Sequence, residues 1–221
     1  MFSTTPVLAR TPWTLLPGFE GRPIAVPQSA TRWLATRGQV RDRSRVVGFV
    51  AGPGVERANH ELRSSQQAWG SGELLLDSTA TVQAATALAQ RTDVIHFAAH
   101  GRHAPDNPLF SGLELADGTF FGYDIDQIQR VPKVVLLSAC EVGRASVRSG
   151  EETVGMTAAW LHAGAESVIS SCALIGDQAA EDVLTRVHAL LATGVGPAEA
   201  LAAAQAASDS LAPLICFGAG W

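Results

Sequence analysis

Short, continuously apolar runs recur along this chain with helix-forming segments between them, and that alternation admits few folds. A strand buried on one face alternates apolar with polar residues. Val134–Leu137, and Val94–Ala98 with its single polar residue His96, leave no polar face, as expected of parallel strands covered by helices on both sides. The predicted strands are Arg45–Ala51, Glu73–Leu76, Val94–Ala98, Val134–Leu137, Ser167–Ser171 and Leu214–Phe217. Helix formers fill Val55–Gln67, Thr81–Gln90, Thr153–Ala163, Asp177–Leu191 and Pro197–Ser208. Asp177 is placed to cap the free amides of its helix, and Pro197 suits a first helical position. Two stretches depart from the pattern. Residues 1–28, with Pro17-Gly18, read as an extended arm or small hairpin before a helix starting near Ser29, and Gly112–Gly122 reads as a β-hairpin with Asp117-Gly118 at its turn. No repeat or linker divides the chain, so residues 1–221 read as a single α/β domain with a mostly parallel central sheet flanked by helices.

Composition narrows the function classes. With 47% hydrophobic and 17% charged residues among 221, the chain can bury a sizeable core and is not disordered. A net charge of −5 gives no general attraction to nucleic acid or to an anionic membrane surface. The apolar stretches, Pro197–Ala207 included, fall short of the roughly 20 residues that cross a bilayer. The opening MFSTTPVLARTPW lacks the basic start and apolar run of a secretory signal, and three Cys, an odd number, do not form a disulfide framework. Neither nucleic acid nor membrane is expected as a partner, and a reducing cytoplasm is the expected setting.

In parallel α/β sheets, functional groups gather at the carboxyl edge, where loops converge beside helix N-termini. Two strand ends carry chemistry there: one runs out in His100-Gly101, the other in Ser138-Ala139-Cys140. If the two strands are neighbours, a thiol and an imidazole face each other across one edge. A free thiol is only a few per cent ionised at neutral pH, so a nearby base is what makes it a nucleophile. Gly101, lacking a side chain, lets a carbonyl approach the backbone, and its amide with that of Cys140 could hold an oxyanion. Cys172 and Cys216 lie in apolar runs without a matching base and read as core packing. His96 reads as a core histidine. His96, His100 and His103 do not complete a metal ligand set, and no metal is expected. Gly52-Pro53-Gly54 after the first long strand lacks the third glycine of a dinucleotide fingerprint, and Pro53 removes an amide a phosphate would use, so no cofactor is expected.

The residues HFAAHG (96–101) and LLSACEVG (136–143), joined by PLFSGLELADG (108–118) and followed by GEETVGMTAAWLHAGAESVISS (150–171), resemble the CHAT domain, a member of the caspase-like clan of cysteine peptidases that includes separase. The resemblance runs from about Trp13 to the C-terminus. It implies a caspase-like three-layer sandwich with His100 and Cys140 as catalytic dyad, Cys140 being the nucleophile. By resemblance to separase, Asp177 receives a basic P1 side chain, although the aromatic residue that usually precedes this acid is absent from Ser171–Leu174. Glu151 and Glu152 match the family's acidic position and are further candidates for substrate contact. CHAT domains often accompany tetratricopeptide repeats; no such repeat is visible in these residues, which read as a stand-alone member or an excised domain, and the resemblance implies a protein or peptide substrate with a regulatory protein or tetratricopeptide-type module as a further partner. Two readings stay open from sequence: a cysteine endopeptidase, and a catalytically silent caspase-like module for interaction or signalling.

Overall fold

The computed structural model describes residues 11–36, 45–55, 57–102, 110–138, 151–173 and 175–221. Its centre is a seven-stranded sheet made of β1 (Ala25–Val26), β2 (Val47–Ala51), β3 (Glu73–Leu75), β4 (Val94–Ala98), β8 (Val134–Ser138), β9 (Ser167–Ser171) and β10 (Leu214–Gly218), in the order β1-β10-β9-β8-β4-β2-β3. All pairings are parallel except β9 with β10. A smaller antiparallel sheet of β5 (Gly101–Arg102), β6 (Gly112–Leu115) and β7 (Gly118–Phe121) continues directly from β4.

The continuous apolar runs resolve into two faces once the pleat is applied. Ile95, Phe97, Val135 and Leu137 point to one layer, where they meet α3 (Val82–Arg91) and α5 (Glu151–Ala163) through Leu88, Met156 and Trp160. Phe97, Phe120 and Trp160 stack there within about 6 Å of one another, all essentially inaccessible to solvent. Val94, Ala98, Val134 and Leu136 point the other way, into a second core with α2 (Ala58–Trp69), α6 (Asp177–Ala192) and α7 (Pro197–Ala206). The result is the three-layer, mostly parallel α/β sandwich that the resemblance implies. A short helix, α4 (Gly122–Ile125), links the hairpin to β8. No helix among the described residues is long and apolar enough to cross a membrane.

Local departures from the sequence reading have physical causes. The arm does not form a hairpin among the described residues: Ala25 and Val26 pair in parallel with Cys216 and Phe217 and close one edge of the large sheet. The helix after β2 begins at Ala58 rather than Val55: Gly54 turns the chain with a left-handed φ of 74°, and Arg57 takes the N-cap position. In the β6–β7 hairpin, Leu115 pairs with Gly118, so Ala116-Asp117 make the turn and Gly118 already belongs to the strand. Asp117 is used elsewhere: its Oδ1 accepts a hydrogen bond from the Val82 amide at 2.8 Å and so serves the start of α3. Asp177 is not the N-cap of α6. Gly176 takes that place, and Asp177 is the first helical residue with no capping bond of its own.

Candidate active site

β2, β4, β8 and β9 lie side by side and parallel, so the loops after them emerge at one edge. His100 follows β4 there. Its main chain is held from two sides. The carbonyl of His100 accepts from the Glu114 amide at 2.8 Å, and Gly101 pairs with Leu113, so the hairpin grips the segment that leaves the sheet. Just before it, the Ala99 amide donates to the Ser138 carbonyl at 3.1 Å and the Ala98 carbonyl accepts from the Gly52 amide at 2.8 Å. The backbone around His100 is therefore tied to β2, β8 and the hairpin together.

The imidazole rests against the loop after β2. A Cβ placed on Gly54 would lie 3.4 Å from Nε2 of His100, at a residue whose φ of 74° already disfavours a side chain. Gly54→Ala is expected to cost about 1–2 kcal/mol from the left-handed backbone alone, and to move the His100 ring resonances in an NMR spectrum while those of the buried histidines stay in place. Unmoved His100 resonances would show that the ring does not rest on Gly54.

In the described part of this edge, Ser138 ends β8 opposite Ala98. Cys140 and the rest of 139–150 lie outside the described residues, as does His103. Glu151 and Glu152 open α5, and their side chains are likewise outside the description. Asp177 opens α6 after β9; it is half-buried, and its Oδ1 is enclosed without a hydrogen-bond partner among the described residues. One helical turn further, Glu181 accepts from Nε of Arg57 at 2.7 Å and contacts Nδ1 of His60. Glu181, with Asp182 and Asp177 adding to its field, raises the pKa of the Arg57 guanidinium. The start of α6 is thus an acidic region already facing one cation of the chain.

The two described cysteines are poor nucleophiles. Cys216 is buried and its thiol is pushed up to about 12 by desolvation. Cys172 is half-buried, its thiol directed at the Pro213 carbonyl at 3.3 Å, and burial raises it to about 11.

Sequence reasoning did not find a polar chain beneath this edge, inside the layer between the sheet and α2/α6. Trp69 Nε1 donates to Nδ1 of His188 at 2.9 Å, and Nε2 of His188 is 3.0 Å from Nδ1 of His96. Nε2 of His96 lies 3.0 Å from Oε1 of Glu61; the contact is off the axis of a well-formed hydrogen bond, and neither atom has another partner among the described residues. The Ser138 hydroxyl donates to Oε2 of Glu61 at 3.2 Å. Glu61 is 3% exposed and both histidines are 0% exposed. Burial raises the Glu61 carboxyl to about 8 and lowers His96 to about 3; desolvation, then His96, takes His188 well below its ordinary value. A signal for this chain existed in the sequence. Glu61 lies beside Leu62 on the stripe that runs Ala58, Leu62, Ser65, and His188 falls between Leu184 and Leu191 at helical spacing, so both put a polar group on an otherwise buried face.

The CHAT domain family model matches residues 2–210. No curated protein matches the sequence. Among solved structures, pyridoxal kinase from Staphylococcus aureus in complex with pyridoxal aligns at 11% identity over 80% of this chain and 94% of that one, with a TM-score of 0.35. The same kinase in complex with AMP-PCP aligns at 13% identity over the same shares and the same TM-score. Likeness at that level says nothing about this chain's chemistry.

Proposed function

The chain belongs to the CHAT domain family, and we propose that it is a cysteine endopeptidase working through His100 and Cys140. The observation that carries this reading is the pairing of β4 with β8. Ala98 is opposite Ser138, and His100 and Cys140 each follow their member of that pair by two residues in sequence. In the proposed reaction the thiol proton of Cys140 passes to His100 as Sγ attacks the scissile carbonyl. The amides of Gly101 and Cys140 hold the oxyanion. His100 then returns the proton to the leaving amine, and water hydrolyses the resulting thioester with release of the acid. Asp177, at the acidic start of α6, receives a basic P1 side chain, and Glu151 and Glu152 contact the substrate beside it. Arg57, bonded to Glu181 and within the field of Asp177, competes with a basic substrate at the start of α6. Activation by a partner protein or by assembly completes the proposal.

The test is covalent labelling with peptidyl electrophiles carrying Arg, Lys, Asp or Leu at P1, read by peptide mass spectrometry. Arg and Lys probes are expected to label Cys140 and spare Cys172 and Cys216, whose thiols stay protonated. His100→Ala should slow that labelling about a hundredfold, the lower end of what a positioned base contributes. Asp177→Ala should abolish the preference for Arg over Leu and leave the thiol reactive. Labelling of Cys140 no faster than the other two cysteines, or indifferent to His100, would refute the peptidase and leave the interaction module.

A further inference from the structure

Beneath the strand end that leads to Cys140 the buried polar chain terminates on Ser138, and its hydrogen-bond direction is set at the far end. An indole N–H only donates, so Nδ1 of His188 must accept from Trp69. The neutral His188 then carries its proton on Nε2 and gives it to Nδ1 of His96. That leaves the His96 proton on Nε2, 3.0 Å from Oε1 of Glu61 but off the line between them. A second hydrogen on Oε1 would crowd that N–H at 3.0 Å, which favours placing the proton of a neutral Glu61 on Oε2, the oxygen that meets Ser138. With Glu61 ionised, the Ser138 hydroxyl donates to it; with Glu61 protonated on Oε2, the hydroxyl accepts and its own proton turns away from the carboxyl.

We propose that Glu61 is a positioning residue for the strand end that carries Cys140, acting through the direction of its hydrogen bond with Ser138. This rests on the reading of Cys140 as nucleophile, since Glu61 serves no reacting atom itself. Other groups around the carboxyl are accounted for. His96 lies beside it from β4 and Ser138 from β8; from α6 come the charges of Glu181 and Asp177, which oppose its ionisation, Glu181 being itself paired with Arg57 and in contact with His60. The raised carboxyl of Glu61, at about 8, places the change of hydrogen-bond direction within reach of ordinary buffers.

The experiment measures the rate at which iodoacetamide alkylates Cys140 from pH 6 to pH 9.5, taken as the ratio of wild type to variant so that the ionisation of the thiol itself cancels. Glu61→Gln keeps the shape and fixes the amide as a donor toward Ser138, the arrangement of the neutral acid. The wild-type to Glu61→Gln ratio should change about threefold to tenfold across an inflection near pH 8. In a Ser138→Ala background the same substitution should give a flat ratio, because the hydroxyl that reads the carboxyl is gone. A flat ratio with Ser138 present, or an unchanged inflection without it, would overturn the proposal. Should Glu61→Gln fail to fold, the wild-type to Ser138→Ala ratio carries the same expectation and the same refutation. The peptidase reading fails separately, if alkylation does not respond to His100→Ala; iodoacetamide reports the reach of Cys140 in either case.

Discussion

Urea unfolding followed from pH 5 to pH 9 is expected to place the stability contributed by the buried polar chain at a maximum close to pH 6.5, with a falling limb on each side. The sign follows from which state binds more protons. Glu61 has a folded pKa raised from 4.5 to about 8. Between those values the folded state holds a proton that the unfolded state has lost, so stability falls as pH rises and levels off above about 8. His96 is lowered from 6.5 to about 3, and His188 is lowered well below 6.5. As pH drops through 6.5 the unfolded chain gains two protons that the folded chain refuses, and this outweighs the single proton on Glu61. A whole proton of difference is worth about 1.4 kcal/mol per pH unit, a slope approached only on the acid side; above pH 6.5 the histidines still titrating in the unfolded chain and the loss of the Glu61 proton toward pH 8 hold it to about half of that, so about 1 kcal/mol is lost between the maximum and pH 8.

Glu61→Gln separates the limbs. An amide does not titrate, so the decline above pH 6.5 should vanish while the decline on the acid side becomes steeper, no longer offset by the carboxyl. The same variant with Ser138→Ala should behave alike in urea, because stability reads the protonation of Glu61 and not the direction of its hydrogen bond. A Glu61→Gln protein that still weakens between pH 6.5 and pH 8 would show that the carboxyl is not the group titrating there.

What the sequence could and could not reveal follows from the kind of signal each feature leaves. Strands such as Val94–Ala98 and Val134–Leu137 appear where they were expected because a run without a polar face has one stable environment, the middle of a covered parallel sheet. Helix starts were less legible. Asp177 is a favourable N-cap residue by type, yet Gly176 adopts the extended backbone that the cap position needs and displaces the start by one. The Asp117-Gly118 turn slipped for a tertiary reason, since Asp117 is held by the amide of Val82, a residue distant in sequence. The proximity of His100 to Gly54 and the chain from Trp69 to Ser138 depend on which helix lies over which strand. Local pattern does not encode that, although a Glu and a His on buried helical stripes marked where to look. His100, Gly101, Asp177, Glu151, Glu152 and Cys140 remain assigned by strand-end position and family resemblance.

Gly52→Ala is expected to be the costliest single methyl that can be added near His100. Gly52 ends the extended run of β2, and a Cβ there would stand 2.3 Å from the Glu114 carbonyl oxygen and 2.6 Å from Cβ of Ala99. Neither neighbour is the end of a flexible side chain that can swing aside. Relief requires the hairpin or the β4 end to move, and both carry bonds that fix His100: the Glu114 amide to its carbonyl, and the Gly52 amide to Ala98. Overpacking of this kind costs about 2–3 kcal/mol, to be measured by urea unfolding at one pH. Gly70→Ala supplies the control. It puts a methyl on a left-handed residue, φ 68°, with nothing within 4 Å, so it isolates backbone strain, about 1–2 kcal/mol. A Gly52 variant no less stable than the Gly70 variant would mean that the hairpin yields freely. The second readout decides whether that yielding matters for chemistry: Gly52→Ala should slow labelling of Cys140 by the Arg probe, and Gly70→Ala should not, because only the first substitution pushes on the two segments that hold His100 at the sheet edge.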